Sequence, residues 1–227
     1  MPDYAAMYRE SRERITALVR AVSDEQRARV VPACPEWTVI DTVAHLAANA
    51  VDTVAGRLTT IPNDEQTAAQ VEQRRGRTID EILAEWDVAA EPAERIIAVA
   101  APQMLVAWVN DVLTHEADIR GALRAGRPPD TAWTAALELA WPLFRERLSH
   151  LGELTILAGD QRLTTGSGEM DSTKPATMVE VDIYEFWRSM LGRRSRAQMA
   201  AWKWTGNPEP YLQAIPGFGP TELDLAE

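Results

Sequence analysis

Apolar residues recur every three or four positions through most of the first 150 residues, and helix-start and helix-stop signals punctuate the pattern. Residues 3–22 form one amphipathic stretch, followed by "SDEQ", which reads as a local cap. Thr38-Val-Ile-Asp41 has the form of a capping box, in which the threonine oxygen and the acid three residues on satisfy free amide groups. The helix it opens is predicted to run to about Arg57, and "TIDE" at 78–81 repeats the device for a helix reaching the 90s. Further helices are predicted over 104–123, stopped by Gly126 in the left-handed region with Pro128 and Pro129 after it, and over 131–149. Stripes of this kind must be buried against one another, so the first 150 residues are expected to form a helix bundle. The polar stretch 58–77 reads as a crossover connection, with a lid or mobile segment as the alternative.

After Leu151 the pattern changes. "LTILAGDQRLTTGSG" alternates like a strand pair around a Gly-Asp turn, "TMVEVDIY" reads as another strand, and "YEFWRSMLG" and "SRAQMAAWKW" as short helices about Gly192. "GNPEPYLQAIPGFGP" reads as an ordered loop or tail. The expected fold class is therefore α+β: a helical bundle over 1–150 and a smaller α+β domain over 151–227.

Composition narrows the function. A net charge of −11 disfavours a nucleic-acid partner, whose phosphates attract cations. No run of apolar residues is long enough to suggest a membrane span, and the charged start "MPDYAAMYRESRER" lacks the apolar core of a signal peptide. A single cysteine, Cys34, forms no internal disulfide and fits a reducing compartment, so a cytoplasmic location is expected. GxSxG, CxxC, HExxH and a Gly-rich phosphate loop are all absent. The oligomeric state is left open.

The chemistry-bearing feature is "NDVLTHEADIR", residues 110–120. At 100° per residue, Leu105, Trp108, Val109, Val112, Ile119 and Leu123 form the apolar stripe, and Asp111 and His115 share one edge of it. A half-buried carboxylate needs a partner. A metal ion is one candidate, since i,i+4 spacing lets both side chains reach one ion; a plain Asp–His pair at a helix edge is the other. A catalytic zinc site takes three protein ligands. His45 is the third candidate, although it falls on its helix's polar face beside Asp41, Asn49 and Asp52; Asp41 could orient its ring. Glu116, nearer the stripe's middle, is either a structural acid paired with Arg120 or a substitute ligand. His150 reads as a helix-end residue, Cys34 as structural, and Trp37 and Trp108 as core or pocket wall.

"VPACPEWTVIDTVAHLA" resembles the Cys-Pro-x-Trp-Thr-Val-x-Asp-x-x-x-His-Leu segment of the mycothiol-dependent maleylpyruvate isomerase family. "WVNDVLTHEADIRGALRAG" resembles that family's second signature, and "FWRSMLGRRSRAQMAAWKWTGNPEPYLQ" resembles its smaller C-terminal domain. The resemblance spans most of the chain in order. It implies a DinB-like four-helix bundle in which His45, Asp111 and His115 bind zinc or another divalent metal. It also implies mycothiol as thiol cosubstrate. In the isomerase reading the thiolate adds to a conjugated double bond, the bond rotates, and elimination returns the trans acid. An arginine should hold the substrate carboxylate; Arg193 is the first candidate, with Arg194 and Arg196 beside it. In the family's characterised isomerase the acid of this trio is a glutamate where this chain has the shorter Asp111, which bears on the metal geometry and the activity; a thiol S-transferase, in which the same thiolate attacks another small electrophile, is an alternative. Metal-assisted hydrolysis is a third option, without a clear general base. A non-enzymatic metal- or small-molecule-binding module is the alternative from another class.

Overall fold

Asp3 accepts from the Ala6 amide and starts helix α1 (Tyr4–Ala21). Ser23 closes a capping box on the short α2 (Asp24–Arg27), and a two-stranded antiparallel pair, β1 (Val30–Val31) and β2 (Cys34–Thr38), follows. Thr38 and Asp41 make the predicted capping box of α3 (Val39–Val54). Thr78 and Glu81 make that of α5 (Ile79–Ile97). Between them, Asn63 caps α4 (Asp64–Glu72). Then come α6 (Pro102–Leu105), a π-helical turn over Val106–Asn110, and α7 (Asp111–Leu123). The structure is a computed structural model that describes residues 2–58, 62–165 and 177–226.

In the first unit, residues 1–139, α1 packs on α5 and α7, and α3 packs on the same two helices, which closes a four-helix ring. Its interior holds Ile15, Val19, Val39, Val43, Ile82, Leu83, Trp86, Val109, Val112 and Ile119. Each such aliphatic side chain contributes about 1.5–3 kcal/mol on burial. The six residues of the predicted stripe on 104–123 are all buried.

The 58–77 stretch departs from its reading as a plain connection: it contains α4, while its residues 59–61 lie outside the described residues. The helix lacks an amphipathic pattern because it buries only Gln70 and Val71. The stop of α7 also differs. Gly126 is left-handed as expected (φ 73), but Arg124 already is so two residues earlier, at the helix end itself (φ 55), where the Arg124 and Ala125 amides reach back to Gly121 and Arg120.

Helix α8 (Asp130–Ser149) is continuous, and the division between the two compact units falls inside it, after Leu139. Pro142, just past the division, removes one hydrogen bond of the helical ladder. The second unit, residues 140–226, contains a four-stranded sheet of order β4-β3-β5-β6. Its strands are β3 (Leu154–Ala158), β4 (Gln161–Thr164), β5 (Thr177–Glu180) and β6 (Lys203–Thr205). β3 pairs antiparallel with β4 and parallel with β5. Residues 166–168 of the predicted strand pair lie outside the described residues.

The 177–184 strand stops at Glu180 because Asp182 caps α9 (Ile183–Met190), accepting from the Tyr184 and Glu185 amides. The predicted 195–204 helix ends as α10 (Arg196–Ala200), and its last residues pair with β5 as β6. The 206–220 tail contains α11 (Glu209–Ala214). Gly192 is required twice over: its φ is +76°, and a Cβ there would lie 2.6 Å from the Gly219 carbonyl oxygen.

Candidate metal centre

Three elements of the first unit deliver the central groups. The capping box fixes the start of α3 and sets His45 nearly two turns into it, 2% exposed. Asp111 is the first residue of α7, immediately after the π-helical turn, and His115 stands one turn further on. Turns of this wider kind occur often at functional sites because they re-aim the side chains that follow.

Both imidazoles are held through Nδ1 and aim Nε2 at the same carboxylate. His45 Nδ1 lies 3.0 Å from Gln70 Oε1, and its Nε2 3.5 Å from Asp111 Oδ2. His115 Nδ1 lies 2.9 Å from Asp118 Oδ2, and its Nε2 3.5 Å from Asp111 Oδ1. One donor atom from each of the three residues lies within 4.8 Å of the other two. Four-coordinate zinc with bonds of about 2.0–2.1 Å needs ligand atoms roughly 3.3 Å apart, so the set fits a cation with only a small adjustment. Engaging the remote imidazole nitrogen with an acceptor is also how proteins orient metal-binding histidines.

The electrostatics agree with a place built for positive charge. Burial acts to lower the His115 pKa, but the Asp111 charge and the Asp118 hydrogen bond outweigh it and push it up to about 10. Burial acts to raise that of Asp111, but the His115 charge and the Asn49 amide help to hold it below the usual carboxylate range. In the metal-free protein a proton on His115 therefore balances Asp111. Asp111 is also the most open of the three, with 27% of its side chain exposed, against 3% for His45 and 7% for His115. Trp37 flanks the site, its ring centroid 4.9 Å from that of His45 and 6.0 Å from that of His115.

Several neighbours differ from the sequence expectation. Asp41 does not orient His45: its Oδ2 accepts from the Thr38 amide at 3.0 Å and the Thr38 hydroxyl at 2.6 Å. Gln70, on the helix that the sequence did not reveal, takes that place. Asn49 Nδ2 donates to Asp111 Oδ2 at 2.9 Å and lies 3.1 Å from His45 Nε2. The face that carries His45 is polar in composition yet buried, because α4 packs on α3 and brings Gln70 to it. Glu116 follows the first of its two readings: fully buried, it pairs with Arg120 as expected and also accepts from Arg14 and Ser11. Cys34 sits at the edge of the site rather than apart from it, with Sγ 3.9 Å from Asp118 Oδ2. Cys34, His115 and Asp118 also present one donor atom each within 4.8 Å of the other two.

The remaining candidates belong to the second unit, where His150 is exposed. Arg193 is half-buried, and its Nη1 donates to the Leu191 carbonyl at 2.6 Å. Arg194 is buried and paired through its Nε and Nη2 with Glu185, and Arg196 pairs with Glu209 at the surface.

Fold and site together define a helical-bundle protein with a two-histidine, one-carboxylate cluster suited to a divalent cation. The family model described as the mycothiol maleylpyruvate isomerase N-terminal domain matches residues 8–151, and the chain belongs to that family. A solved structure of a histidine-to-alanine mutant of the mycothiol-dependent maleylpyruvate isomerase aligns with a TM-score of 0.55 at 12% identity, covering 90% of this chain and 93% of that one. The mycothiol-dependent maleylpyruvate isomerase structure itself aligns at 0.49 and 12% identity, covering 85% and 90%. At this identity the first likeness is one of fold, and it agrees with the α+β class and the helical N-terminal bundle. No curated protein sequence matches significantly. Among the described residues no helix is long and apolar enough to cross a membrane.

Proposed function

We propose that the chain is a thiol-dependent enzyme in which His45, Asp111 and His115 hold one divalent cation, zinc by preference, and mycothiol is the thiol cosubstrate. The observation that carries this reading is the convergence of two Nδ1-anchored imidazoles on Asp111, each Nε2 3.5 Å from one of its oxygens. A cation held there supplies the Lewis acidity that keeps a thiol deprotonated near neutral pH.

The protein's own groups do the rest. Gln70 and Asp118 hold the two rings, and Asn49 steadies the Oδ2 side of Asp111. Trp37 walls the site beside both imidazoles, and the exposed side of Asp111 supports an approach for thiol and substrate. Arg193 is assigned to the substrate carboxylate, because a planar guanidinium matches its two oxygens. Arg194 is a poorer candidate, since its guanidinium is buried against Glu185.

The reaction proposed first is cis–trans isomerisation of a small unsaturated dioic acid of the maleylpyruvate type. Incubation of the zinc-loaded protein with maleylpyruvate should give the trans isomer only when mycothiol is present. A rate no higher than in the protein-free control rejects the isomerase. The second reading, an S-transferase, is favoured by the short Asp111 in place of the glutamate expected from the resemblance. Product mass separates the two, because isomerisation leaves the substrate mass unchanged and transfer adds the thiol.

A further inference from the structure

We propose that Gln70 is the positioning residue for His45, and that Asp52 sets the direction in which Gln70 works. The inference rests on the metal-site reading above and assigns it a control element carried by α4, a helix whose other central residues are mostly exposed.

A glutamine amide has an acceptor oxygen and two N–H donors, and which end faces which neighbour must come from the network. Asp52 decides it here. Its carboxylate can only accept; Oδ2 lies 2.7 Å from Gln70 Nε2, while Oδ1 is held by Arg57 Nε at 2.9 Å. The amide nitrogen of Gln70 must therefore face Asp52, which turns Oε1 toward His45 Nδ1 at 3.0 Å. The second N–H meets Asn49 Oδ1 at 3.1 Å, which in turn points the Asn49 amide nitrogen at His45 Nε2 and Asp111 Oδ2. Every polar group of the buried Gln70 side chain is used once, and each bond agrees with the others.

The consequence for His45 is a fixed tautomer. With an acceptor at Nδ1, the ring carries its hydrogen there and leaves the Nε2 lone pair directed at Asp111, where a cation needs it. A reversed Gln70 would place N–H against Nδ1, move the ring hydrogen to Nε2 and remove the ligand. The backbone is anchored as well. Arg74, one turn on, donates to the Gln70 carbonyl at 3.0 Å and makes a two-point pair with Glu85 of α5, both distances 2.8 Å.

The test uses the full-length, metal-free, ¹⁵N-labelled protein, in which two-bond proton–nitrogen correlations report the tautomer of His45 directly. The wild type should show the Nδ1–H form. Gln70→Leu and Asp52→Leu, each of which removes an acceptor of the relay, should both populate the Nε2–H form, and both should bind zinc more weakly, Gln70→Leu by about 10–100-fold. Gln70→Glu, which keeps an acceptor toward His45, should keep the Nδ1–H form. A role confined to packing would alter thermal stability and leave the tautomer in place. An Nε2–H ring in the wild type overturns the proposal, as do wild-type tautomer and zinc affinity in both Gln70→Leu and Asp52→Leu. If Gln70→Leu does not fold, Asp52→Leu decides, since that side chain lies at the edge of the network, 20% exposed. A wild-type protein that takes no zinc removes the metal reading, whereas the tautomer measurement needs no metal and still judges the relay.

Discussion

Replacing Glu116 by alanine and following both stability and zinc binding separates two neighbours with opposite roles. The Glu116 carboxylate is fully buried and receives Arg14 Nε at 2.8 Å, Arg14 Nη2 at 2.7 Å, Ser11 Oγ at 2.8 Å and Arg120 Nε at 3.0 Å. Truncating one partner of a buried ion pair costs about 3–5 kcal/mol, because the other charge is left unpaired. Arg14 and Arg120 keep 22% and 17% of their side chains exposed, so water restores part of their solvation and the lower end applies. The expected loss is about 3 kcal/mol, or roughly 6–12 °C in Tm for a protein of this size. Zinc affinity should stay within a few-fold of wild type, because none of these contacts reaches Asp111 or either imidazole. Circular-dichroism melts and a zinc titration read the two effects separately. A Tm change below about 2 °C would refute the ion-pair reasoning. Loss of zinc binding in a variant that melts normally would make Glu116 a ligand after all.

Three further outcomes are expected. Asp111→Asn removes the one charged donor of the trio and should weaken zinc by more than the 10–100-fold typical of outer partners alone, read by competition with a chelating dye. The raised pKa of His115 contributes stability to the metal-free protein that is fully present below 6.5 and lost as pH rises through about 10. Zinc must displace that proton, so the zinc-induced rise in Tm should grow from pH ~6.5 to ~9, and a flat profile contradicts the assignment. Gly192→Ala places a Cβ 2.6 Å from the Gly219 oxygen at a left-handed φ, and should cost about 2 kcal/mol or more, visible as a lower Tm without change in zinc affinity.

Much of the bundle was legible because its signals are local. Thr38/Asp41 and Thr78/Glu81 mark two helix starts within four residues each, and the stripe from Leu105 to Leu123 is buried as its spacing requires. The trio was legible in part: i,i+4 spacing puts Asp111 and His115 together, and ligand counting offered His45 as the third, although its place on a polar face counted against it until the resemblance implied it. Its burial was hidden because the face shared by His45, Asn49 and Asp52 is polar, and the residue that covers it comes from α4. That helix gives no periodic signal, having two buried residues in nine. Glu116 could be seen to need a partner, yet Arg14 lies about a hundred residues earlier in the chain. In the second unit, β6 and α11 were missed because their register is set by pairing with β5 and by packing, not by composition.

The most direct test is a crystal of the zinc-loaded protein with data collected on both sides of the zinc absorption edge. The account predicts one strong anomalous peak within about 2.0–2.2 Å of His45 Nε2, His115 Nε2 and an Asp111 oxygen, with a position left open on its exposed side. No peak there, or a peak bound instead by Cys34 and Asp118, would contradict it.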